Sequence, residues 1–339
     1  MTIQDEKIIV LNGAAIGYKG ITNSVNIVKS EISVFALKGE LVALIGGNGI
    51  GKSTLLRTIA GFQPPVGGEI LIVDKQITAY REKELALIMS YVSPEVVRVQ
   101  NLSVFDLVSL GRFPHTNWFG KLLSEDLQIV EDAIKSVGLQ GFENRMVNCI
   151  SDGERQKAMI ARTLAQDTNI IILDEPTAFL DLSNKYEIVN ILHQLACEKG
   201  KTILFSTHDL TTAIAESDRI CLMLNDSVKQ GAPEDLIING NFEALFTNEH
   251  LFFDQVKGDF RIRKHSKKRA YITGNGIAAD WTIKALERNG FEIIDSLRVS
   301  DNYASVLIDV NYPIWTFRQE EHTYMFSSLL SLCQYLKKL

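Results

Sequence analysis

Eight consecutive residues, Gly46-Gly47-Asn48-Gly49-Ile50-Gly51-Lys52-Ser53, have the types and spacing of a phosphate cradle. They fit G-x-x-x-x-G-K-[ST] at every fixed position, a pattern in which backbone N–H groups wrap the β-phosphate of a nucleotide. Lys52 would bridge the β- and γ-phosphates and the Ser53 hydroxyl would ligate Mg²⁺. The predicted nucleotide contacts run from Gly46 through Thr54. A second candidate is Asp174-Glu175, directly after the apolar run Ile170 to Leu173. A carboxylate ending a strand parallel to the strand of the phosphate loop can hold Mg²⁺, the role predicted for Asp174. Glu175 would point toward the γ-phosphate and polarise the attacking water, general-base work worth about 10²–10⁴ in rate. Alone, such an acidic pair is a common surface turn; the phosphate loop gives it chemistry. His208, just past Phe205-Ser206-Thr207, is placed to hydrogen-bond a γ-phosphate. Ser151-Asp152-Gly153-Glu154 opens a predicted helix, where hydroxyl and N–H groups can meet an anion. Ser151 with Glu154 three residues on is equally an ordinary capping box.

Elements must hold these residues in place. The apolar run Leu41 to Ile45 reads as a buried strand ahead of the loop, and Ser53 to Ala60 as the helix behind it. Ile8 to Leu11, Glu31 to Leu37 and Glu69 to Val73 read as strands. Between about 80 and 165 the pattern is helical: Arg81 to Met89, Val104 to Leu110, Ser124 to Val137 and Gly153 to Leu164. Alternation then resumes, with strands at Asn169 to Leu173, Thr202 to Ser206 and Ile220 to Leu224, and helices at Leu182 to Cys197 and Leu210 to Glu216. This order predicts an α/β domain interrupted by a helical insertion. A small α/β appendage follows: strands at Ala270 to Thr273, Phe291 to Ile294 and Ala304 to Val310, a helix at Ala278 to Asn289, and a closing helix at Met325 to Leu336.

The 339 residues, 46% of them hydrophobic, leave room for one large or two medium domains. A net charge of −6 with mixed signs leaves no nucleic-acid footprint. Cys149, Cys197, Cys221 and Cys333 form no C-x-x-C pair and read as reduced, small core residues. Met1 to Lys7 lacks the apolar core of a secretion signal, and no stretch approaches the roughly twenty apolar residues of a membrane span. Any membrane role is therefore expected through a partner. Arg261 to Arg269 holds six Lys/Arg in nine residues, read first as a solvated linker and second as a contact for anionic headgroups or nucleic acid.

Together the motifs resemble the ATP-binding subunits of ABC transporters, over about residues 7–250. The resemblance rests on the phosphate loop, Ile150-Ser-Asp-Gly-Glu154 in place of the LSGGQ signature, Asp174-Glu175, the D-loop Ala178-Phe-Leu-Asp181 and His208 as switch histidine. Tyr18 occupies the position of the aromatic residue that stacks on adenine. The likeness implies a P-loop ABC ATPase domain (1–255) with a helical subdomain (about 95–165), followed by an accessory domain (256–339). It implies Mg·ATP as cofactor and a head-to-tail dimer in which Ser151 and Gly153 close over the nucleotide of the opposite copy, with Glu154 and Asp181 as further candidate nucleotide-binding residues. Two permease subunits would be the direct partners and a substrate-binding protein an indirect one, placing the chain at the cytoplasmic face of the plasma membrane. Leu107 to His115 with Trp118-Phe119-Gly120 looks like the segment found in importers of ferric siderophores, haem and cobalamin. Export, or a soluble regulatory or non-transport role, uses the same nucleotide chemistry. The absence of a fused membrane domain and the Gly111–Gly120 segment favour import.

Two departures bear on turnover. The family's Q-loop glutamine belongs near residue 94, yet the chain reads Tyr91-Val-Ser-Pro-Glu95, so Glu95 is the candidate Mg²⁺ ligand there. Asp152 stands where the signature has glycine, unless neutralised by Arg155 or Lys157 a charge near the γ-phosphate. In the appendage, Gly274-Asn-Gly276-Ile-Ala-Ala279 with Asp295 superficially fits a dinucleotide fingerprint, but too few residues remain for that fold.

Overall fold

The structure, a computed structural model, describes residues 6–19, 24–95, 99–116, 120–245, 251–262, 268–294, 304–309, 314–319 and 322–338. The chain divides into two compact units, Met1–Asn248 with Phe253–Arg261, and Glu249–Phe252 with Ile262–Leu339. The first begins with strands β1 (Lys7–Lys19), β2 (Val25–Leu37) and β3 (Leu41–Gly46), then α1 (Lys52–Ile59), β4 (Gly67–Ile72), β5 (Lys75–Gln76), α2 (Glu82–Ala86) and β6 (Met89–Val92). Helices α3 (Val104–Ser109), α4 (Ser124–Ser136) and α5 (Asp152–Ala165) form the insertion. Alternation resumes through β7 (Ile170–Leu173), α6 (Leu182–Lys199), β8 (Thr202–Ser206), α7 (Leu210–Glu216), β9 (Arg219–Met223), β10 (Val228–Gly231) and α8 (Pro233–Ile238). A strand pair, β11 (Leu251–Asp254) and β12 (Asp259–Ile262), follows.

Strands β3, β7 and β8 are buried at every residue, as unbroken apolar runs in a parallel sheet should be. The six-stranded sheet runs β10-β9-β3-β8-β7-β6, and all strands but β10 are parallel. Its two faces feed separate cores. Ala43, Ile45, Leu173 and Phe205 pack with Val108, Ile160 and Leu192 from α3, α5 and α6. Val42, Leu44, Ile172 and Leu204 pack with Leu55, Leu56 and Ile59 of α1 and with the antiparallel sheet β2-β1-β4-β5. Every parallel strand thus ends at one edge, where ligands bind in open α/β sheets.

The insertion is fastened by Arg112, which donates to Asp126 (2.9 Å) and to the Ala165 carbonyl (2.8 Å), both side chains nearly out of solvent. A Cβ on Gly111 would lie 2.1 Å from the Arg162 carbonyl oxygen. Only glycine lets this segment approach α5 so closely.

The second unit holds β13 (Lys268–Thr273), α9 (Gly276–Arg288), β14 (Phe291–Ile293), β15 (Ala304–Asp309), β16 (Ile314–Gln319), β17 (His322–Phe326) and α10 (Leu329–Leu336). Its sheet, β14-β13-β15-β16-β17, shares one core with Leu286 of α9 and with Leu332 and Leu336 of α10.

Four expectations are corrected. Cys149 and Cys197, read as core residues, are exposed. The helix predicted over Arg81 to Met89 stops at Ala86, and Met89–Val92 is a strand paired with β7. Leu85, Ile88, Met89 and Val92 mimic a helical stripe, but the Ile88 carbonyl accepts Ile170 N–H (3.1 Å) and draws the chain into the sheet. The closing helix starts only at Leu329, where Ser328 Oγ accepts Ser331 N–H (3.2 Å); Met325 sits in β17 opposite Thr316. Strands β16 and β17, which pair antiparallel, were not expected at all. Trp118 and Phe119 of the aromatic loop, Met1 to Asp5, residues 263–267 of the basic run, Asp295 and Val310 lie outside the described residues. Among the described residues no helix is long and apolar enough to cross a membrane.

Candidate functional site

The exits of β3, β7, β8 and β6 deliver, in turn, the phosphate loop, Asp174-Glu175, His208 and Glu95 to the same edge of the sheet. Gly51 precedes α1 with φ of 109°, a backbone state for which glycine is suited, and an added Cβ would sit 2.7 Å from Val28. A Cβ on Gly47 or Gly49 would meet nothing within 4 Å, so the mouth of the loop is open. No side chain caps α1 and its first turn has no acid, which leaves its N–H groups for an anion. Lys52 is buried, and its amine donates to the carbonyls of Gly46 (2.9 Å) and Gly47 (3.2 Å). Burial pulls its pKa down, against the opposing charges of Glu175 and Asp174. Tyr18 is half-exposed, and its hydroxyl lies 2.9 Å from Thr54 Oγ1, tying the aromatic ring to α1. Ser53 is exposed beside Lys52.

Asp174 is only 1% exposed. Its Oδ1 accepts Ser206 Oγ–H (2.7 Å) and its Oδ2 accepts Tyr91 Oη–H (3.3 Å). Burial, then the Asp174 charge and the bond to it, push the Tyr91 phenol up, so it stays a donor. Glu175 adopts φ of 51°, and its Oε1 lies 2.6 Å from His208 Nε2. Neither Ser206 nor Tyr91 stood out in the sequence as a partner of the acids. Only the parallel register puts them there.

Ser151 Oγ accepts Glu154 N–H (3.2 Å), and Ser151 N–H donates to the Glu154 carboxylate (2.7 Å), which lowers that carboxyl's pKa. The capping box is therefore present, and these bonds stay within α5. Asp152 pairs with Arg155, which also donates to the Val147 and Ile150 carbonyls (3.1 and 3.0 Å). Lys157 pairs with Glu187 instead. Asp181 Oδ1 accepts Asn184 N–H (2.9 Å) at the start of α6. A Cβ on Gly153 would come 2.6 Å from the Asn184 side chain, so the D-loop helix and the signature helix abut. A cavity of about 240 Å³ brings Glu95, Asp152, Arg155 and Glu175 together with Met159 and Phe179; the phosphate loop does not line it.

An oxygen-only donor set, a hydroxyl at Ser53 with a carboxylate at Asp174, suits a hard cation such as Mg²⁺. A carboxylate offers about four lone-pair sites, and the two hydroxyl bonds leave Asp174 capacity for a metal or its water. Glu95 lies in the cavity with Glu175, and its N–H donates to Ser93 Oγ (3.2 Å).

A family model described as "ABC transporter" matches residues 30–178, and one described as "Iron ABC transporter C-terminal domain" matches residues 266–337. The chain is 35% identical over 272 residues to an uncharacterized ABC transporter ATP-binding protein of Methanocaldococcus jannaschii, covering 79% of this chain and 93% of that one. It is 36% identical over 240 residues to the petrobactin import ATP-binding protein FpuC of Bacillus anthracis, covering 70% and 88%. Among solved structures it is similar to a dimeric ATP-binding cassette in a post-hydrolysis state bound to ADP and Pi, with TM-score 0.58, 26% identity, and 66% and 98% coverage.

Proposed function

The chain belongs to the ABC transporter ATP-binding family, and from that premise we propose that this ATPase drives an importer of ferric chelates of the siderophore type. The observation that carries the cargo class is the match of residues 266–337 to the iron-transporter C-terminal family, beside the likeness to a petrobactin import protein. In this reading residues 1–255 bind and hydrolyse ATP and 256–339 form an accessory domain.

The proposed site takes ATP on the Gly46–Thr54 loop, with Tyr18 against the adenine and Lys52 moving from its two carbonyls to the β- and γ-phosphates. Ser53 and Asp174 would hold Mg²⁺, with Glu95 as a further oxygen, and the ion would supply charge neutralisation to the phosphates. Glu175 accepts a proton from the attacking water. His208, now bonded to Glu175, is the donor placed to stabilise charge on the γ-phosphate. Ser151, Gly153, Glu154 and Asp181 act on the nucleotide of a second copy packed head to tail. Two permease subunits receive the closure through the helical insertion, which holds this chain peripherally at the cytoplasmic face of the membrane.

The test uses tagged Glu175→Gln, expected to lose about 10²–10⁴ in turnover while still binding ATP. Captured with Mg·ATP from detergent-solubilised native membranes, it should retain a polytopic permease. Recovery of soluble partners alone would overturn the importer reading, and wild-type turnover in the variant would overturn the role of Glu175.

A further inference from the structure

Strand β7 lies between β8 and β6, and each neighbour sends one hydroxyl to the same carboxylate. From β8, Ser206 Oγ donates to Asp174 Oδ1 (2.7 Å); from β6, Tyr91 Oη donates to Oδ2 (3.3 Å). Ser206 has a second task. Its Oγ also accepts the backbone N–H of Glu175 (2.8 Å). That peptide needs holding, because Glu175 sits at φ of 51°, a region L side chains rarely adopt. Two residues further along the chain, His208 meets the Glu175 carboxylate (2.6 Å). The exit of β8 therefore grips Glu175 at both its backbone and its side chain.

We infer that Ser206 and Tyr91 are positioning residues for the acid pair, Ser206 setting both the metal carboxylate and the general base, Tyr91 the metal carboxylate alone. This rests on the ATPase and Mg²⁺ reading given above. Ser206 is fully buried, and its single proton and one lone pair are both committed to the acid pair. Two bonds, one to each oxygen, leave Asp174 little freedom to rotate, so the directions of its remaining lone pairs are fixed. Removing the Ser206 hydroxyl leaves the part-buried Glu175 N–H without this partner and frees one carboxylate oxygen in a single step. The two hydroxyls differ in reach, and that difference is the testable content.

The experiment compares Ser206→Ala, Ser206→Thr and Tyr91→Phe in the full chain. It reads Mg²⁺ dependence of ATP turnover, binding of a fluorescent ATP analogue with and without Mg²⁺, and melting temperature. Loss of an outer partner of a metal ligand typically costs about 10–100-fold in metal affinity or activity. Ser206→Ala should lower kcat and raise the half-saturating Mg²⁺ concentration, each by about that factor. Ser206→Thr, which keeps the hydroxyl, should recover most of both. Tyr91→Phe should raise the Mg²⁺ requirement by about tenfold with kcat nearly intact, since the grip on Glu175 survives. Binding of the analogue without Mg²⁺ should be unchanged in all three. Wild-type Mg²⁺ dependence in both Ser206→Ala and Tyr91→Phe would overturn the inference. So would equal losses of analogue binding with and without Mg²⁺, the mark of a packing defect. A wild-type chain with no turnover would instead sink the ATPase reading.

Discussion

Asp152 carries its charge at the start of α5, where family signatures have glycine, and Arg155 answers it with an ion pair. Two effects compete there. A carboxylate in the first turn favours the helix by about 0.3–1 kcal/mol, and the same carboxylate opposes any phosphate brought to that terminus. Because Arg155 is also spent on the Val147 and Ile150 carbonyls, it cannot follow Asp152 if the loop shifts. Asp152→Gly in a Glu175→Gln background should lower the ATP concentration for dimerisation about two- to fivefold, the same energy read as affinity. Sedimentation across an ATP titration checks this, and an unchanged midpoint counts against it. The phosphate loop and the acidic pair were legible as patterns because backbone chemistry demands those residues at that spacing. Ser206 and Tyr91 were not, because a hydroxyl aimed across a sheet leaves no local mark.

Within the helical insertion, Asp126 accepts Leu123 N–H (2.9 Å) and Arg112 (2.9 Å) in a nearly dry setting. The Leu123 N–H first, and then the Arg112 guanidinium, hold its carboxyl below the usual range. A depressed folded-state value means the stabilisation is complete above the ordinary carboxylate range and drains away as pH falls through the depressed one. Asp126→Asn should therefore cost about 3–5 kcal/mol at neutral pH, the usual loss when a buried pair is broken. It should also flatten the fall in melting temperature below about pH 4. Melts from about pH 7 down to about pH 3 test both, and parallel curves for the two proteins would refute it. The elements with unbroken apolar runs or a clear helical period, β3, β7 and α5, were readable. Four-residue β6 was not: Met89-Ser-Tyr-Val92 has no period of its own and becomes a strand only beside β7.

At the scale of the whole molecule, the predicted α/β cassette with a helical insertion is the fold found, and all the proposed nucleotide residues fall in the first compact unit. The second unit was legible as α/β, but its antiparallel half was not, since β16 and β17 are short and the apolar Met325-Phe326 end of β17 runs on toward the apolar closing helix. Ser151 spends its hydrogen bonds on its own helix, Gly153 is pressed against Asn184, and the cavity lined by their neighbours Asp152 and Arg155 does not include the phosphate loop. With copies paired head to tail as proposed, the gene should behave as if it encoded two separable functions in one reading frame. Lys52→Ala and Ser151→Ala are each expected to be null alone. Co-expressed, they pair into dimers with one doubly damaged site and one wholly intact site. With random pairing and independent sites, roughly a quarter of wild-type turnover should return, measurable on the mixed preparation. No recovery would mean that each copy completes its own site. Recovery would make the two alleles complement each other as though they lay in different genes.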